Sequence, residues 1–79
     1  MRIQVKLLAT YRRYLPPDAA ASSYTMEVRP DTRVEELLAG LPVGQGDETV
    51  VLVNGRTPEE GTVLREGDVV CLFPAIAGG

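Results

Sequence analysis

The chain has 79 residues, 44% of them hydrophobic and 24% charged, with a formal net charge of −3. That length makes one domain, and a chain this small buries only about 60–65% of the surface its unfolded form exposes, which leaves little for an enclosed active site. There is no His, no Trp and a single cysteine, Cys71, so an internal disulfide, an imidazole metal site and a Cys–His or Ser–His nucleophile pair are excluded.

Charge and hydropathy narrow the partners. The only adjacent basic pair, Arg12–Arg13, sits between Tyr11 and Tyr14 in an acidic chain. A nucleic-acid reader of this size carries a basic excess, so no nucleic acid is expected. No apolar run approaches the ~18 residues of a membrane span, so no membrane partner is expected either. The N-terminus alternates apolar and polar residues, unlike the apolar block of a signal peptide. A cytoplasmic location is the expectation.

In chain order, residues 2–8 (RIQVKLL) predict a strand, with Ile3, Val5 and Leu7 on one face and Arg2, Gln4 and Lys6 on the other. Residues 9–23 predict an irregular connection, interrupted by Pro16–Pro17. Residues 24–28 (YTMEV) alternate again and predict a second strand. Val34, Leu37, Leu38 and Leu41 then fall at the i, i+3, i+4, i+7 spacing of one helical stripe. Thr32 and Glu35 have the spacing of a capping box. Glu35 and Glu36 suit the positive end of the helix dipole, and Gly40 and Pro42 stop the helix. Two to three turns of helix do not persist alone in water, so this one must lie on a sheet.

Gly44-Gln45-Gly46-Asp47 predicts a loop. Residues 50–53 (VVLV) are β-branched at three of four positions and predict a buried strand. Asn54-Gly55 is the strongest short turn signal in the chain, and residues 56–63 are turn-rich, with Pro58 and Gly61. Residues 69–73 (VVCLF) predict a strand apolar on both faces, ended by Pro74, which cannot donate to a ladder. Cys71, in its middle, is expected to be a small buried residue.

The order of strand, strand, helix, strand, short elements and strand predicts an α+β fold of the β-grasp (ubiquitin-like) kind. Its mixed sheet has four to five strands with one main helix across it. The first and last strands are expected side by side in the centre, buried on both faces. Residues 1–74 form the predicted domain and 75–79 a flexible tail.

The tail is where chemistry is expected. Small residues and two glycines follow directly on the last apolar strand. A chance Gly-Gly terminus occurs in about 0.5% of chains at ordinary glycine usage. Six residues from Pro74 to Gly79 can reach ~20 Å. Without Cβ atoms, Gly78 and Gly79 can thread a narrow slot and deliver a carboxyl to a partner. Ile76 is expected to be exposed and to anchor the tail in a partner groove. Phe73 and Pro74 lie at its exit.

These segments resemble the sulfur carriers that include the small subunit of molybdopterin synthase and the thiamin-pathway sulfur carrier. The resemblance runs through RIQVKLLA, DTRVEELLAGL, VVLVNG and, most specifically, LREGDVVCLFPAIAGG. It implies that an ATP-dependent adenylating enzyme of the ubiquitin-activating type activates the carboxyl of Gly79. A sulfide donor then converts the adenylate to a thiocarboxylate. The chain binds no cofactor of its own and holds no metal, ATP being used by the partner. It is the carried substrate rather than an enzyme. Gly78, Ala77, Ile76, Pro74 and Phe73 are the expected partner-binding residues.

The tail Pro74-Ala75-Ile76-Ala77-Gly78-Gly79 is most similar to the molybdopterin type, with Ala75 in place of a second proline. That implies the large catalytic subunit of molybdopterin synthase as acceptor. Sulfur carriage for thiamin, cysteine or tRNA thiolation, a ubiquitin-like modifier joined through Gly79, and an interaction module with an inert tail stay open.

Overall fold

The computed structural model describes residues 1–44 and 48–75. Four strands, β1 (Arg2–Leu7), β2 (Ser23–Glu27), β3 (Thr49–Val53) and β4 (Val69–Pro74), form one sheet in the order β2-β1-β4-β3. β1 runs parallel to β4, and the other two pairings are antiparallel. The first and last strands therefore share the centre, as the apolar pattern predicts. One α-helix, α1 (Val34–Ala39), packs across one face, and a 3-10 helix (Ala9–Tyr14) follows β1.

Alternation fixes which side chains meet. Ile3, Val5 and Leu7 of β1 and Val70 and Leu72 of β4 are each no more than 1% exposed. Val34 and Leu37 of α1 cover them, with Tyr11, Val43 and Leu64 closing the periphery. Tyr24, Met26, Val51 and Val53 pack against this cluster from the outer strands. Apolar burial at roughly 25 cal/mol per Å2 makes this single layer the source of stability.

Several expectations are corrected. The connection after β1 is not irregular throughout. It turns sharply at Ala9 (φ 53°) into the 3-10 helix, which brings Tyr11 under the sheet. The α-helix is shorter than the stripe suggested, at 6 residues, with Leu41 packing beyond its end. Its capping pair is shifted by one residue. Arg33 N–H donates to Glu36 Oε1 at 2.9 Å, whereas Thr32 Oγ1 turns back to Arg29 C=O and Glu35 accepts from Gly61 N–H. The competing force is the pairing of the helix entry with residues 62–64, through Val34 N–H to Thr62 C=O and Leu64 N–H to Thr32 C=O.

Residues 50–53 are an edge strand, half-buried, rather than a buried one. Pro74 does not break the sheet but is its last residue, opposite Thr49. Ala75 N–H donates to Glu48 C=O at 3.0 Å, so positions 73 and 75 face β3. Pro74 faces the other way, where β1 has already ended, and its missing donor is not needed.

The Asn54-Gly55 turn forms as predicted. Both residues have positive φ (53° and 82°), and Val53 and Arg56 exchange two backbone hydrogen bonds, the geometry of a type I′ turn. Asn54 also reaches across the sheet. Its Nδ2 donates to Asp68 Oδ1 at 3.0 Å and its Oδ1 accepts from Val69 N–H at 2.9 Å. Asp68 Oδ2 in turn accepts from Arg65 N–H. The turn thereby sets where β4 begins.

Candidate functional site

The feature to be positioned is the end of β4, from which the tail departs. Its last described backbone bond is the one from Ala75 to Glu48. Glu48 and Thr49 are held from below by a small polar knot. Gly44 N–H donates to Tyr11 Oη at 3.2 Å, and the Tyr11 and Thr49 hydroxyls lie 2.8 Å apart. Thr49 Oγ1 donates to Gly44 C=O. Because the Thr49 proton is committed to Gly44, Tyr11 is the donor of the central bond and the three links close a ring. Each bond in such a ring polarises the next. Thr49 is buried, and this ring satisfies it. Gly44 is required there, since a Cβ would stand 2.7 Å from Glu48 Cβ.

The face of the sheet away from α1 has two halves. On β2 and β1 it carries Ser23, Thr25, Glu27, Arg2, Gln4 and Lys6. On β4 and β3 it carries Val69, Cys71, Phe73, Val50 and Leu52, paired as Val50 with Phe73 and Leu52 with Cys71. These five are half-buried, and none belongs to the core cluster. Cys71 is thus corrected from a buried residue to a member of an apolar patch on the open face, and Phe73, read at the exit of the tail, lies in the same patch. β4 is apolar on both sides, as read, but only one side is covered by the domain. The patch runs up to the tail root.

The polar half is held by an exposed ion pair, Arg2 Nε to Glu27 Oε1 at 2.9 Å. That hydrogen bond and its charge hold the Glu27 carboxyl below the usual glutamate range. Arg12 and Arg13 are exposed on the 3-10 helix. β1 and β4 are parallel and the 3-10 helix follows β1 directly. The two cations therefore lie at the end of the sheet where the tail begins. Arg13 stacks on Tyr14, 5.5 Å from the ring centroid, and Tyr14 lies 6.0 Å from Tyr11. Among the described residues no three His, Cys, Asp or Glu side chains gather in a way that holds a metal ion. No helix of the described residues is long and apolar enough to cross a membrane.

The ThiS family matches residues 5–79. The chain belongs to the ThiS family. Its solved neighbours share the fold across nearly the whole length. The crystal structure of SAMP1 from Haloferax volcanii is 25% identical, covers 100% of both chains and superposes with a TM-score of 0.72. A putative molybdopterin converting factor, subunit 1, from Pyrococcus furiosus is 25% identical over 95% of this chain and 98% of its own, with a TM-score of 0.74. The solution structure of the Haloferax volcanii HVO 2177 protein is 27% identical over 100% of this chain and 87% of its own, again at 0.74. Against curated protein sequences the chain finds no match. The fold of this ThiS-family chain is the β-grasp fold of the sulfur carriers and small modifiers, as the resemblance in its segments implied.

Of the residues read as functional, Phe73 and Pro74 lie at the end of β4, Phe73 on the open face and Pro74 on the core side opposite Thr49. Ile76, Ala77, Gly78 and Gly79 lie outside the described residues. The sequence reading missed Val50 and Leu52 as surface residues and the ring of Tyr11, Gly44 and Thr49. For the first no signal existed, since VVLV reads the same on an edge strand as on a central one. None existed for the ring, whose members are joined only by the fold.

Proposed function

We propose that the protein is a sulfur carrier whose working group is the carboxyl of Gly79, acting in molybdopterin (molybdenum or tungsten cofactor) synthesis. The observation that carries this reading is the tail root. A buried strand ends in a fixed bond at Ala75 beside an exposed apolar patch. The four residues beyond it can carry a terminal carboxyl at most about 14 Å. A partner that holds the patch thus has the carboxyl within one active-site depth.

The chemistry balances without any group from this chain. The carboxylate of Gly79 attacks the α-phosphorus of ATP in the activating enzyme, giving an acyl adenylate and pyrophosphate. A sulfide-equivalent donor adds to the acyl carbon, and AMP leaves with the C–O electron pair. The thiocarboxylate so formed stores nucleophilic sulfur, which the large catalytic subunit of molybdopterin synthase would direct onto a pterin. In this reading the chain contributes the docking patch and the tail, is not itself an enzyme, and works in the cytoplasm. Arg12 and Arg13 add positive charge at the tail end, where an acidic rim on the activating enzyme would steer the encounter.

A second reading is supported by the likeness to SAMP1, a small archaeal modifier protein. The same adenylate, attacked by a lysine amine instead of sulfide, would give an isopeptide. The test is the intact mass of the protein purified from its host without added thiols. Replacement of one oxygen by sulfur, located at Gly79 by fragmentation, supports the carrier. Adducts joined to lysines of other proteins support the modifier. A Gly79 carboxyl that stays unmodified with ATP, a sulfur source and the host's activating enzymes rejects both, as does a chain that continues past Gly79.

A further inference from the structure

The two edges of the sheet are built differently. At the β2 edge the outward positions are Thr25 and Glu27, exposed and polar, with Glu27 ion-paired to Arg2. Charge and polarity of this kind blunt an edge against pairing. The β3 edge carries no such protection. Its ladder bonds to β4 alternate, with Glu48 joined to Ala75 and Asn54 to Val69, so positions 49, 51 and 53 point their backbone groups outward. Val53 uses its own on Arg56 across the turn. The N–H and C=O of Val51 remain aimed at the open edge, with no partner among the described residues.

A groove lies alongside. It is about 310 Å3 and is lined by Val34, Glu35 and Leu38 of α1, by Thr49 and Val51 of β3, and by Pro58. An unpaired edge with an apolar groove beside it is the arrangement that accepts an added strand. Backbone bonds supply the attachment and the groove reads alternate side chains.

We propose that β3 accepts, as a fifth strand, an extended partner segment with an apolar residue opposite Val51 and a lysine or arginine two residues away. The spacing follows from the pleat. A residue paired with Val51 points its side chain to the same face as Val51, which is the face of α1 and the groove. Its neighbours point to the open face, beside Val50 and Leu52, where β-branched residues pack well. The next residue on the groove side comes to the rim, where Glu35 is exposed. The groove thus selects for positive charge at that position. The same charge argument disfavours a second copy of this chain. Pairing β3 with itself would bring Glu35 towards its own twin and join two molecules of net charge −3.

The probe is the palindromic peptide acetyl-Lys-Val-Ile-Val-Lys-amide, which offers a lysine to Glu35 in either strand direction. It is titrated into the isotope-labelled full chain and followed by amide NMR shifts. Expected are shifts confined to β3, Val34, Leu38 and the residues around Pro58. Methylating the backbone nitrogens of the central isoleucine and of the valine after it, which removes the donor to Val51 C=O in either strand direction, leaves the protein untouched and should weaken binding about tenfold. Glu35→Gln should weaken it about two- to threefold in low salt and not at all in high salt. Val51→Pro removes only an outward N–H, which an edge strand tolerates, and should lose binding with the fold retained. Absence of shifts at millimolar peptide, shifts centred on β2 or the open face, or indifference to N-methylation would overturn the proposal. So would concentration-dependent self-association through β3 that the peptide does not displace.

Discussion

The two faces of β4 make the sharpest contrast in the molecule. Val70 and Leu72 point one way and are fully buried, while Val69, Cys71 and Phe73 point the other way and remain half-exposed. All five side chains are apolar or nearly so. Stability requires only the first set. A strand keeping a second apolar face towards solvent, next to the start of the tail proposed to carry the working carboxyl, is the surface expected of a partner-binding patch.

The contrast breaks down if the two faces respond alike to substitution. Leu72→Ala should be the most damaging, destabilising the domain by about 2–5 kcal/mol in urea or thermal unfolding because it opens a cavity in the central layer. Tyr11→Phe removes the middle bond of the buried ring. It leaves Thr49 and Gly44 N–H each short of a partner, and should cost about 1–2 kcal/mol by the same measurement. Leu52→Lys, on the open face, should change stability by less than about 1 kcal/mol. It should reduce ATP–pyrophosphate exchange with the host's activating enzyme at least tenfold, through KM. Equal losses of stability from Leu52→Lys and Leu72→Ala would show that the patch is structural.

The smallest effect concerns the polar half of the open face. Glu27 is held below its usual range by the hydrogen bond from Arg2. Its contribution is therefore present above the ordinary glutamate range and fades as pH falls through its lowered folded value. Glu27→Gln should lower the neutral-pH Tm slightly, and the two Tm–pH curves should converge in acid, where Glu27 is protonated and its contribution is already lost.

The sheet was largely legible because its signals are local. Alternation placed Ile3, Val5 and Leu7 on the core face, and Asn54-Gly55 marked the turn after β3. Burial on β3 and β4 was misread for a common reason. Apolar runs such as VVLV and VVCLF look the same whether their second face meets the core or a visiting protein, so composition cannot separate the two. The capping pair was displaced because residues 62–64, far along the chain, determine where the helix enters. For the candidate site, the sequence pointed to the tail and to Phe73 and Pro74. It was silent on the ring beneath them, since Tyr11, Gly44 and Thr49 become neighbours only after folding.

The parallel pairing of β1 with β4 has a kinetic consequence. Arg2 N–H bonds to Glu66, 64 residues away in the chain, so the centre of the sheet forms only when the first and last strands meet. Little stability accrues before that long-range closure, which places such topologies among the slower small folders. Until β4 arrives, both β1 and β3 present unpaired edges and the layer under α1 lies open, a state prone to aggregation. The polypeptide therefore cannot mature gradually from its N-terminus. It becomes a folded object only once the segment just ahead of the tail has been synthesised and inserted.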